Sequence, residues 1–197
     1  MLSINARVAL APEDTYRQLV SEVTQPRWWQ ALARPALVLL ALAVVVPIMA
    51  AGAVTASLVL TSAVAWSAVL LIQIAAALVT IGSAASRRVG LTRALDLWFA
   101  GHLPYTAWIL LLPLITASHT IWPLDAIAVT FIVPTVWTTF IATAYCRTVL
   151  GTTAGGARSR VAAHQVVTLT VTAALTLWAA GGIDAVASYL LRTLERS

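Results

Sequence analysis

Asp96, Gln73 and His102 are polar side chains set in long apolar runs, and they are where chemistry could reside. A charge at the centre of a bilayer costs roughly 2.5 to 3.5 kcal/mol on insertion scales, so a polar group kept there is a candidate for ion or proton handling. Asp96 stands one turn inside its run with Arg93 three residues before it, a spacing that predicts a salt bridge near a helix N-terminus. His102 follows about 120° further around an ideal helix, so it does not pair with Asp96 on one face. Gln73 lies midway along another run and suits an interhelical hydrogen bond. Thr168, Thr170, Thr172 and Thr176 could line a polar path, although threonine also bonds the carbonyls of its own helix.

Signals of catalysis or metal binding do not accompany these residues. His102, His119 and His164 stand apart in sequence, without an H-E-x-x-H pattern or a Cys/His cluster, and Cys146 is the single cysteine. The stretch "GTTAGGARSR" lacks the lysine of a phosphate-binding loop and is expected to be a flexible connection. The chain is therefore expected to be no enzyme, with no catalytic residue, metal ligand or cofactor.

The elements that must position the polar residues follow from composition. Of 197 residues, 60% are hydrophobic and only 10% are charged, too few charges for a water-facing surface. The net charge of +5 comes with arginines scattered around apolar runs, which excludes nucleic acid as a partner and fits membrane topology. All twelve cations are arginine, and with the alanine and valine excess this suggests a GC-rich bacterial genome.

A bilayer core about 30 Å thick needs roughly 20 apolar residues per helix. Five segments satisfy this, at about 35–53, 57–85, 92–117, 123–147 and 163–180, within a transmembrane domain of 35–182. Pro35 and Pro123 are placed at first helical positions, and Pro104 predicts a kink in the third span. Arginines precede the first span and lie between spans two and three and spans four and five, while the other two connections carry none. That bias puts the N-terminus in the cytoplasm and the C-terminus outside. The expected fold is an all-α, polytopic five-span bundle in a bacterial inner membrane, with amphipathic surface helices at both ends.

Residues 1–34 form the first of these surface segments. "APEDTYRQLVSEV" starts with Pro12, puts Glu13 and Asp14 in the first turn, and sets Tyr16, Leu19, Val20 and Val23 on one face. In "TQPRWWQALARP", Arg27 and Arg34 can reach headgroups while Trp28 and Trp29 sit at the interface, as a lipid anchor or a partner contact. Trp98 is expected at the inner interface and Trp122 and Trp178 at the outer one. Trp66, Trp108 and Trp137 are expected to pack between helices. Residues 183–197 form the second surface helix, too short and too charged to span.

The run "ALAPEDTYRQLV" followed by "PRWWQAL" resembles the start of bacterial Yip-family (Ypt/Rab-interacting) membrane proteins, through Pro12, Thr15, Tyr16, Leu19, Pro26 and Trp28. "GLTRALDLWFAGHLPYTA" looks like that family's entry to the third span, and "TAYCRTVLGTTAGGARSRVAAHQV" is similar to its loop between spans four and five. The aspartate-leucine-tyrosine-glycine-proline motif of eukaryotic members is missing. The resemblance implies a non-catalytic scaffolding, organising or accessory-subunit role, with membrane lipids and another membrane protein or a second copy of the chain as partners. A small-solute or ion transporter or channel component, using the polar residues of spans two, three and five with Gln73, Asp96 and His102 among them, is the alternative.

Overall fold

The computed structural model describes residues 3–22, 26–86, 88–117 and 124–179, and among these every regular element is an α-helix. The expectations for His119, Trp122, Pro123 and the helix at 183–197 lie outside the described residues, as do the side chains of Thr172, Thr176 and Trp178.

Two short helices come first. In α1 (Ile4–Leu10) the Ser3 hydroxyl accepts the Ala6 N–H at 3.3 Å, and α2 (Pro12–Ser21) opens on Pro12 with Glu13 and Asp14 in its first turn. The Thr15 hydroxyl donates to the Arg7 carbonyl at 3.1 Å and joins the pair. The apolar face of α2 turns to protein: Tyr16 and Leu19 are buried. Burial raises the Tyr16 phenol well above its ordinary range, so it remains a neutral donor to the Leu97 carbonyl at 3.3 Å.

The first long helix, α3 (Trp28–Ala51), begins a full two turns before Pro35. The Gln30 side chain accepts the Arg27 N–H at 2.8 Å and nucleates the helix there, so Pro35 lies inside it instead of at its start. Gly52 ends α3 in a left-handed conformation at φ 63°, with its N–H on the Ile48 carbonyl at 2.9 Å. The chain reverses into α4 (Ala56–Ser86), which packs along α3 and breaks at Gly82, whose φ of 52° and ψ of −156° suit only glycine.

The third apolar segment is two helices, α5 (Leu91–Ala100) and α6 (Leu103–Ala117). Gly101 and His102 make tight bonds to carbonyls three residues back, at 3.1 and 3.2 Å, and α6 restarts with Pro104 at its second position. The break therefore precedes the proline expected to cause it. A Cβ on Gly101 would lie 2.6 Å from the Tyr16 hydroxyl and 2.8 Å from Ile141 Cγ2. Gly101→Ala is expected to destabilise the fold by about 1–3 kcal/mol through overpacking, read from thermal unfolding in detergent.

The last two helices are α7 (Leu124–Thr148) and α8 (Ala154–Ala179). The segment expected to be flexible, "GTTAGGARSR", is mostly helix: Thr153 caps α8 by accepting the Gly156 N–H at 3.2 Å, which carries Arg158 and Arg160 into the helix. α8 packs on α4 and α7, α2 packs on α7, and α6 packs on α7 and α3.

Among the described residues, Trp28–Ile48 and Ala56–Gly82 are long and apolar enough to cross a membrane. Only 28% and 22% of their most apolar windows are buried, whereas the core helix of a water-soluble protein is mostly buried. Leu37, Leu40, Leu71 and Val79 instead face outward. The buried core gathers at one end of the bundle, around Tyr16, Leu97, Trp98, Ile141 and Tyr145.

Candidate functional site

Asp96 is the centre of an ionic network that closes the core at the end where the arginines lie. Its carboxylate pairs with Arg34 of α3 and, at 3.8 Å, with Arg93 of its own helix; Arg34 Nη1 also donates to the Asp96 carbonyl at 2.9 Å. Arg93 Nη2 continues to the Leu19 carbonyl at 3.0 Å and to Glu22 at 3.3 Å. Two acids and two arginines thus balance in charge and tie α2, α3 and α5 together. Asp96 is only 14% exposed, so this pairing occurs largely out of water.

Further contacts hold the same end. Arg147 meets Glu13 at 3.0 Å, a surface pair of small energetic value. Arg160 donates to the Thr80 carbonyl at 2.6 Å, just before the Gly82 break. Gly151, at φ 66°, lets the Arg88 guanidinium lie against its backbone, so the α4–α5 and α7–α8 connections meet. Arg27 is exposed beyond this network, with Trp28 at 70% and Trp29 at 49% exposure on the first turn of α3. Arg34, expected among headgroups, is instead spent on Asp96.

Deeper lies a cluster of rings around Trp98. Its centroid is 4.9 Å from His164, 5.1 Å from Tyr145 and 5.3 Å from His102. Trp98 is 2% exposed, so it is a core residue and not the interfacial belt residue expected, because α2, α7 and α8 all close over α5. Trp137 Nε1 donates to the Ala9 carbonyl at 2.9 Å and Trp108 Nε1 to the Thr130 hydroxyl at 3.2 Å.

Two cavities adjoin the cluster. The larger, about 270 Å³, lies between α3, α4 and α6 with Leu42, Trp66, Leu70 and Ile109 in its walls and Arg34 at one end. The smaller, about 40 Å³, is lined by Trp98, Thr138, His164, Gln165 and Thr168. Gln73, His102 and Tyr105 line both. The structure thus brings Gln73 and His102 together and leaves Asp96 in the separate ionic network. Sequence alone places Trp98 at the inner interface and His164 apart from the other histidines, and it gives Thr138 no role, so none of the three is read there as part of a shared chamber. The four-residue spacing of Trp98 and His102 was the one local signal, and the approach of His164 joins residues 84 apart from Thr80. No group of three or more metal-ligating side chains occurs among the described residues.

No family model matches the chain, and neither a curated protein nor a solved structure gives a significant match.

Proposed function

We propose that the chain is a Yip-like, five-span bacterial inner-membrane protein with a non-catalytic scaffolding or accessory-subunit role. The spans are α3, α4, the broken α5–α6 unit, α7 and α8, and an odd number puts the termini on opposite sides. The clustering of Arg34, Arg88, Arg93, Arg147 and Arg160 at the end that holds α1 and α2 supports a cytoplasmic N-terminus.

The observation that carries the scaffolding role is the state of Asp96. An ion or proton carrier needs its acid free to exchange partners, whereas this one is held by Arg34 and Arg93 and positions three helices. The partner surface is the exposed Trp28–Trp29 edge beside Arg27, since tryptophan and arginine are the side chains that most often anchor interfaces. In mild detergent the protein is expected to co-purify with another membrane protein or a second copy. Replacing Trp28 and Trp29 together by alanine should weaken that association by about 2 kcal/mol while leaving the thermal transition in place. A chain that runs only as a monomer would overturn the scaffolding role. So would solute flux in reconstituted vesicles that is lost on changing Asp96 or Gln73.

A further inference from the structure

The small chamber beside Trp98 collects hydrogen-bonding capacity that the described residues do not use. Four buried side-chain atoms among the described residues lack a partner, and three of them, Trp98 Nε1, Thr138 Oγ1 and Thr168 Oγ1, belong to residues lining this one chamber. Thr135, Thr139 and Thr143 on the same helix donate to the carbonyl four residues back, at 2.7, 2.7 and 2.8 Å. Thr138, only 6% exposed, does not. A donor left unpaired in a low-dielectric interior is costly, so these groups call for an acceptor from outside the chain.

The two imidazoles supply the complementary function. His102 Nδ1 lies 2.9 Å from the Trp98 carbonyl, which only accepts, so Nδ1 carries the proton. The Thr80 hydroxyl donates to the Ala76 carbonyl at 2.7 Å, so His164 Nδ1, 3.2 Å from that oxygen, is again the donor. Each neutral ring then keeps Nε2 as an acceptor. The chamber therefore asks for a group that both accepts and donates, and at about 40 Å³ it has room for little more than a hydroxyl.

Size and charge define the remainder of the ligand. A dry cavity of about 150 Å³ holds benzene, so by proportion the adjoining 270 Å³ accommodates a hydrocarbon of roughly ten carbons. Leu37, in its wall, is 65% exposed, which opens the cavity to the apolar outer face. Among the described residues, the one charged side chain in either lining is Arg34, already paired with Asp96. We propose that the two cavities form one site for a neutral lipid alcohol, its hydroxyl among Trp98, Thr138 and the histidines and its hydrocarbon against Leu70 and Trp66.

The test uses the full-length protein in detergent and a ten-carbon primary alcohol carrying a photoreactive diazirine, with labelled peptides mapped by mass spectrometry. Labelling is expected on α3, α4 and α6 around Leu39, Val69 and Ile109, displaced by excess 1-decanol but not by decyl methyl ether, which cannot donate. Thr138→Val, which keeps shape and removes a donor, and Trp98→Phe, which keeps an aromatic ring and removes a donor, should each lower apparent affinity about tenfold. Leu70→Trp should block the cavity. If Leu70→Trp does not fold, the two donor-deleting variants carry the test. Absence of labelling, equal displacement by the ether, or labelling unchanged by Thr138→Val and Trp98→Phe would each overturn the proposal.

Discussion

Replacing Asp96 by alanine is expected to destabilise the protein by about 3–5 kcal/mol, because it leaves Arg34 without its counter-charge in a mostly dehydrated position, near an Arg93 whose one remaining acid among the described residues is the half-exposed Glu22. The measurement is thermal or denaturant unfolding in mixed micelles. A diagnostic companion is the pair Asp96→Leu with Arg34→Met, which removes both members of the main ion pair. It should cost much less than the single change, since the loss in the single variant is chiefly the penalty of an uncompensated charge. If Asp96→Ala folds with unchanged stability and alters only solute flux, the carboxylate is a transport group and its structural role is wrong.

The second large effect is expected at Trp98. Trp98→Ala removes the ring that Tyr145, His102 and His164 pack around, at centroid distances of 5.1, 5.3 and 4.9 Å, and should cost about 3–5 kcal/mol. Trp98→Phe should cost distinctly less: it keeps an aromatic ring, and the indole N–H that it deletes has no partner among the described residues. Both are read from unfolding midpoints. Equal losses for alanine and phenylalanine would mean that a retained single ring does not hold the cluster and that the account of its packing is wrong.

The helical class and the two long apolar hairpin helices were legible because hydropathy over twenty residues is a local property that the bilayer thickness converts into a length. The Arg93–Asp96 pair was legible for the same reason, since three residues apart on a helix means one face. Arg34 was not, because its partner lies 62 residues away and the sequence around it looks like any interfacial arginine. The start of α3 was misplaced at Pro35 because proline favours a first turn, whereas Gln30 had already capped a turn upstream. The break in the third segment was assigned to Pro104 when the glycine before it makes the turn. The chamber was least legible: Gln73 and His102 stood out as polar residues in apolar runs, yet that they face His164, Thr138 and Trp98 depends on how four helices dock. The helical start of α8 was hidden by glycines that composition assigns to a loop and that the Thr153 cap overrides.

The topology of the chain can be tested most directly by locating its termini. A reporter active only in the cytoplasm and one active only outside are fused in turn before Met1 and after Ser197 of the full chain, in a bacterial host. Five spans with the arginine-rich end inside require the N-terminal fusion to report from the cytoplasm and the C-terminal fusion from the exterior. Two termini reporting from the same side would contradict the five-span arrangement, and a protein washed from membranes by alkaline carbonate would contradict membrane integration altogether.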